Sequence, residues 1–326
     1  MAKQKNKINA SCFNEHGTLQ TVAVCSPALH APKSQLECSY QLFLQPVSVD
    51  LLKQDHHNLC CKLAELDVEV VDLAEVDIVS SSGNNQTKIS DLLPNRIFVR
   101  DIAAAMGNNL VMGRAASVCR YPEFNLSQMA INHLVDNNVN IFEGNELFCG
   151  NESLEFGDLL VLNKDAFLLN YGNRTQAGDA SWLMRKLLEL GFQEGGIISV
   201  PAETDNIHLD LTCNILGDDL VIALEPLRCL PVQLYSSNKP PEYTTTPEFF
   251  KRHSYDIRYF MPQGSPDFLT NYIHIDKSNI LMSSRHQRRF ASLAKERGIT
   301  IHTVDVDNLE KGGGSVRCCT LPLVRG

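Results

Sequence analysis

The chain has 326 residues, 44% of them hydrophobic, which is enough to bury a large core, and it carries a formal charge of −9. That acidic balance argues against nucleic acid or an anionic membrane as the main partner, because the only basic cluster, Arg285–Arg289, reads as a solvated helix face. Apolar runs such as Leu159–Leu162 fall far short of the roughly 20 residues of a membrane span, and the basic start lacks a following apolar stretch, so neither an anchor nor a secretory signal is expected.

In chain order, the pattern predicts a strand at Thr21–Cys25, a helix at Leu51–Leu66 and a strand at Val68–Val71. Ser80–Thr87, rich in Ser, Asn and Gln, reads as a loop, and so does Ser236–Thr246 with its Lys239-Pro240-Pro241. Four other segments resemble one another. The first runs from Phe98 to Gly113 through a Gly-Asn-Asn turn, and the second from Glu155 to Leu169 through Asn163-Lys164-Asp165. The third runs from His208 to Ile222 through Gly217-Asp218-Asp219, and the fourth from Tyr272 to Met282 through Lys277-Ser278-Asn279. Each places an acid beside a short apolar strand, a Gly/Asn/Asp turn and a second apolar strand, the signature of a hairpin.

The first three segments recur at roughly 50–60 residues, about one supersecondary unit each. Helices are predicted between them at Leu126–Val135, at Ala180–Leu190 with Asp179 as N-cap, and at Arg285–Glu296. The opening strand, helix and strand supply a fifth, less regular unit. Five hairpin-plus-helix units around one axis would bury a shared core, with turns outside and acid-bearing strand ends converging inside. A single α/β domain over residues 1–326 is expected.

The candidate chemistry lies in those acids, His208 and Cys318. On a strand, His208 and Asp210 would project from one face, pairing a general acid/base with a cation-binding carboxylate. An isolated H-x-D is more often an ordinary strand end with a solvated histidine. Gly312-Gly313-Gly314-Ser315-Val316-Arg317-Cys318-Cys319 leads a glycine run, whose backbone can approach a ligand closely, into an arginine beside a cysteine. Positive charge there favours thiolate, although the pattern alone serves a nucleophile or a buried structural pair equally well.

Zinc on His208, Asp210 and Cys213 is disfavoured, since Cys213 would point to the opposite strand face. No G-x-S-x-G elbow occurs, and the glycine run precedes neither a helix nor Lys-Ser/Thr, against a serine hydrolase or a phosphate loop. Eleven cysteines without a C-x-x-C, two pairs of them adjacent, suggest reduced thiols in a cytoplasm.

Five blocks then occur in order from about residue 90 to the end: Leu93-Pro94-Asn95-Arg96-Ile97-Phe98-Val99-Arg100-Asp101, Glu155-Phe156-Gly157-Asp158, Asn173-Arg174-Thr175, His208-Leu209-Asp210 and Arg317-Cys318-Cys319-Thr320-Leu321-Pro322-Leu323. They resemble the LPN-x-x-F-x-RD, EGGD, NRT, HLD and RC-x-S/T-x-PL segments of the guanidine-modifying (pentein) superfamily, and most closely those of arginine deiminases. The resemblance implies a five-fold pseudosymmetric α/β propeller of ββαβ units.

It also implies roles. Cys318 would be the nucleophile on the guanidinium carbon, and Asp101 and Asp210 would grip guanidinium nitrogens. His208 would move protons, with Glu155 holding it in place. Arg120 and Arg174, with Arg317 as a third candidate, would bind a substrate α-carboxylate, and Asn95 would contact the amino-acid end. The implied partner is a small guanidino molecule, with no metal or organic cofactor required, and self-association is left open. Amidino transfer, methylarginine hydrolysis and a non-catalytic pentein-fold binder are the alternatives. Two departures loosen the assignment to free arginine: the space between Asp101 and Glu155 has no room for the deiminases' helical insertion, and Lys311-Gly312-Gly313-Gly314-Ser315 replaces their glycine- and arginine-rich run.

Overall fold

A computed structural model describes residues 7–76, 89–143, 152–201, 207–237, 239–264 and 266–326. The chain opens with β1 (Leu19–Val24), α1 (Gln35–Gln41), α2 (Val49–Glu65) and β2 (Glu69–Asp72). Next come β3 (Ala103–Met106), β4 (Asn109–Met112), α3 (Tyr121–Leu134) and β5 (Asn140–Glu143). A third group is β6 (Leu159–Asn163), β7 (Ala166–Asn170), α4 (Ala177–Glu189) and β8 (Glu194–Ile198). The fourth is β9 (Cys213–Leu216), β10 (Leu220–Leu224), a hairpin of β11 (Pro231–Ser236) and β12 (Lys239–Thr245), α5 (Thr246–Arg252) and β13 (Asp256–Phe260). The last is β14 (Ile273–Asp276), β15 (Asn279–Ser283), α6 (Gln287–Arg297), β16 (Thr300–Val304) and finally β17 (Leu321–Arg325).

In four groups the first two strands pair antiparallel, and the strand after the helix joins the second in parallel. A helix supplies the long crossover that a parallel pair needs. The first group lacks a leading strand until β17 arrives: it runs antiparallel to β1, which is parallel to β2. Five sheets of one ββαβ plan result, one of them widened by β11 and β12. The repeats read from the sequence are therefore architectural, and the fifth unit is irregular because it is built from both ends of the chain.

The turns form for the anticipated reason. Gly107 and Gly217 adopt positive φ at the β3–β4 and β9–β10 turns, which favours glycine. At the β6–β7 turn the Asn163 side chain accepts from the Asp165 and Ala166 backbones, and Asp276 accepts from Ser278 at the β14–β15 turn. On α4, Ala180, Leu183, Met184 and Leu187 form the buried stripe and pack with Phe167, Leu169 and Ile197 of the adjoining strands. Among the described residues no helix is long and apolar enough to cross a membrane, and no disulfide is present.

Three local expectations are corrected. Asp179 sits inside the first turn of α4, whose N-cap is Gln176. Most of Ser236–Thr246 is strand rather than loop: β12 pairs only with β11 and so is an edge, where Pro240 and Pro241 are tolerated. Asp210 lies on a 3₁₀ turn, Leu209–Leu211, with His208 as the residue that caps its start, and neither is on a strand. Ser80–Thr87 falls outside the described residues.

That 3₁₀ turn is one of a set. Val99–Asp101 precedes β3, Phe156–Asp158 precedes β6 and Leu209–Leu211 precedes β9. Asn271 and Cys318 occupy the corresponding stretches before β14 and β17. Every unit thus sends the residues just ahead of its leading strand to one place.

Candidate active site

Asp101, Glu155, His208, Asp210 and Cys318 are all buried and are brought together there. Arg120 is the hub on one side. Its Nη1 donates to Asp101 Oδ2 at 2.7 Å and Glu155 Oε2 at 3.3 Å, its Nε to Glu123 Oε2 at 3.2 Å, and its Nη2 to the Phe98 carbonyl at 3.4 Å. Glu155 Oε2 also lies 3.0 Å from His208 Nε2 and 3.6 Å from Arg174 Nη1, while its Oε1 accepts from the Ala116 backbone at 2.9 Å. Thr175 bonds the Glu155 backbone in both directions, so the Asn173-Arg174-Thr175 block braces that acid.

These contacts set the charges. Burial works against ionised Glu155, but Arg120, His208 and Arg174 outweigh it and hold the carboxyl at about 2. Burial likewise disfavours the His208 cation, yet Asp101, Glu155 and Asp158 raise it to about 9. The imidazole is therefore charged at neutral pH. Gly157 leaves room for it: a Cβ there would stand 2.6 Å from His208 Cγ and 3.0 Å from Asp101 Oδ1.

On the other side Arg317 Nη1 donates to Asp210 Oδ2 at 2.8 Å, and the same oxygen is 3.8 Å from Cys318 Sγ. Asn271 Nδ2 points at the sulfur from 3.1 Å, and its Oδ1 accepts from the Cys318 and Ser315 backbones at 3.2 Å each. Burial raises the Cys318 thiol well above its ordinary value, Asp210 and Asp101 raise it further, and the Asn271 bond opposes them only in part. The resting sulfur is therefore a thiol.

Asp101 Oδ1 and Asp210 Oδ1 are buried with no hydrogen-bond partner among the described residues. Two unpartnered carboxylate oxygens flanking a thiol and an imidazolium suit a planar, forked cation. Above them lies a narrow crevice whose walls include Asn95, Arg120, Arg174, Ile207, Phe98 and the Gly312–Gly314 run. Phe98 explains those glycines: a Cβ at Gly312 or Gly314 would stand 2.8 or 2.7 Å from its ring. Asp101, Glu155 and His208 are also close enough together to ligate a metal, their donor atoms lying within 4.8 Å, but both carboxylates already carry Arg120.

The predicted arginines separate. Arg120 also lines the crevice but is engaged by three acids, whereas Arg317 is buried against Asp210 and Glu15 outside its walls. Arg174, with its side chain 13% exposed against 4% for Arg120, is the more open of the two on the crevice wall. Asn95 lines the crevice too, but its Nδ2 donates to the Gln41 carbonyl and its backbone N–H to Glu123.

Sequence reasoning missed three residues. Asn271 was hidden because it lies one residue ahead of the fourth repeated segment, Tyr272 to Met282, whose acid, Asp276, sits at the outer turn. Glu123 holds Arg120 and the Asn95 backbone, and its place three residues after Arg120 was the available signal. Buried Asp158 accepts from the Leu209 backbone and from Asn170, tying the His208 turn down.

A family model described as arginine deiminase matches residues 77–228 and 264–325. The Bacillus subtilis protein YkgA is 25% identical over 330 residues, 99% of this chain and 98% of that protein. The Clostridium perfringens arginine deiminase is 24% identical over 285 residues, 79% of this chain and 67% of the deiminase. Among solved structures, SxtG, an amidinotransferase from Microseira wollei, shares the fold with a TM-score of 0.69 at 16% identity and 97% coverage of each chain. With the family model covering most of its length, the chain belongs to the arginine deiminase family of guanidino-group-modifying enzymes, within the pentein superfamily.

Proposed function

We propose that this protein hydrolyses the guanidino group of arginine or a close derivative, giving a ureido product and ammonia. The observation that carries the reading is the pair of unpartnered oxygens, Asp101 Oδ1 and Asp210 Oδ1, on either side of the Cys318–His208 region. A guanidinium seated between them restores their hydrogen bonding and brings a cation to the buried sulfur. That cation stabilises thiolate, so the nucleophile forms only when substrate is present.

The thiol of Cys318 loses its proton to solvent as the guanidinium binds, and the thiolate adds to the guanidinium carbon, forming a C–S bond. His208, already protonated and held by Glu155, gives its proton to the departing nitrogen as the C–N bond breaks and ammonia leaves. The bound thiouronium is attacked by water whose proton passes to His208. The C–S bond then breaks, returning the electron pair to sulfur and releasing the ureido product. Arg120 positions Asp101 and Glu155, and Arg174 reads a substrate carboxylate from the crevice wall.

Incubation of the purified protein with arginine, with citrulline, ornithine and ammonia measured together, tests the reading. Citrulline and ammonia in equal amounts are expected. Ornithine that appears only when an acceptor amine is added indicates amidino transfer, and no turnover of any guanidine indicates a binder.

A further inference from the structure

Beyond Arg317, away from Cys318, the protein holds a second, small cavity, whose wall includes Cys12, Glu15, Arg100, Ala105, Pro322 and Arg325. Arg317 stands between the two sites, with Nη1 on Asp210 and Nη2 on Glu15 at 2.9 Å. Arg100 and Arg325 are 7% and 5% exposed. Arg100 donates through Nε to the Arg317 carbonyl at 3.4 Å, and Arg325 through Nη1 to the Gly17 carbonyl at 2.6 Å. The Nη2 of each is buried without a partner among the described residues.

The charges here do not cancel. Three guanidinium groups, of Arg100, Arg317 and Arg325, face two carboxylates, of Glu15 and Asp210. A buried excess of positive charge is unfavourable unless an anion accompanies it. Its effect is visible on the neighbours: burial and the like charge of Arg317 push Arg100 down to about 10, and the arginines overcome burial to hold Glu15 at about 2. The Glu15 carboxylate is already engaged by Arg317, which leaves Arg100 and Arg325 to meet a ligand.

We propose that this cavity binds one compact monoanion, of the size and shape of a small carboxylate or bicarbonate, held by the Nη2 groups of Arg100 and Arg325. Paired guanidinium donors match a planar anion with two oxygens, and one negative charge balances the cluster. The ion is structural. It settles the charge behind Arg317, the residue that holds Asp210, and its binding does not depend on the reaction assigned to Cys318.

Thermal unfolding at constant ionic strength, with sodium formate replacing sodium gluconate, tests this. Formate should raise Tm saturably by about 2 °C or more, as expected for a ligand that binds only the folded state, while bulky gluconate should not. The rise should vanish in Arg325→Gln, which removes a donor, and in Ala105→Leu, which fills the cavity without altering charge. Equal Tm in the two salts, a shift that never saturates, or a rise that survives in Ala105→Leu would overturn the proposal. If Arg325→Gln shows no cooperative transition, Ala105→Leu decides by the same criterion.

Discussion

Asn271 clamps Cys318 at two points, donating to the sulfur from 3.1 Å and accepting from the backbone N–H at 3.2 Å. The amide is the contribution to the site of the unit led by β14, where three other units contribute charged residues. An acid at that position would place a third anion against a sulfur that already faces Asp210 and Asp101.

Asn271→Asp should therefore keep the backbone contacts but disfavour thiolate, lowering kcat by about tenfold for each unit of added thiol pKa. Asn271→Ala leaves two buried N–H groups unpaired and should destabilise the protein by about 1–3 kcal/mol for each. Steady-state kinetics and denaturant unfolding of the two variants separate the effects. A fully active Asn271→Asp enzyme would show that the sulfur does not need the amide.

The charge on His208 predicts a pH profile. Its raised pKa means that the cation persists until pH passes about 9, so the alkaline limb of kcat/KM should lie near that value. The associated stability is complete below the ordinary value of 6.5 and is lost as pH rises through about 9. Glu155→Gln removes one of the partners that favour the cation, so the alkaline limb should move toward lower pH. Profiles that coincide for wild type and variant would deny Glu155 this role.

Gly157 should tolerate no side chain. The Cβ of Gly157→Ala would meet His208 Cγ at 2.6 Å, and the ring must shift. Displacing a reacting group by about 1 Å can cost roughly a hundredfold in rate. Turnover should drop by that order while Tm changes little. Unchanged kcat would mean that the His208 ring position is not critical.

In the proposed reaction, substrate reading falls to Arg174. Hydrogen bonds to charged groups contribute about 1.5–3 kcal/mol, so Arg174→Ala should reduce kcat/KM for arginine roughly ten- to a hundredfold. Agmatine, which lacks the carboxylate, should be affected far less. Equal losses on both substrates would place Arg174 with the positioning residues around Glu155 and not with the substrate.

The sequence carried the repeats, the turns and the five residues Asp101, Glu155, His208, Asp210 and Cys318 that the fold buries together, because hairpin chemistry and motif spacing are local properties. It could not show that β17 closes the first unit, since that pairing joins residues about 300 positions apart. Nor could it show which arginines face inward. Arg120, Arg174 and Arg317 carry the same charge in the sequence, and only the fold shows that Arg120 packs against Glu123 and Asp101 and Arg317 against Glu15. The His-x-Asp pair was read on a strand because period-two spacing suits one, whereas the tight turn before β9 brings the same two residues inward by another route.

The central claim is that Cys318 forms a covalent bond to the guanidino carbon of the substrate. Rapid acid quench during arginine turnover, followed by mass spectrometry of the peptides containing Cys318 and Cys319, tests it most directly. The account predicts a transient substrate adduct on Cys318, which is absent in Cys318→Ser and retained, with measurable turnover, in Cys319→Ser. Citrulline formation that continues in Cys318→Ser, or an adduct found on Cys319 instead, would contradict it.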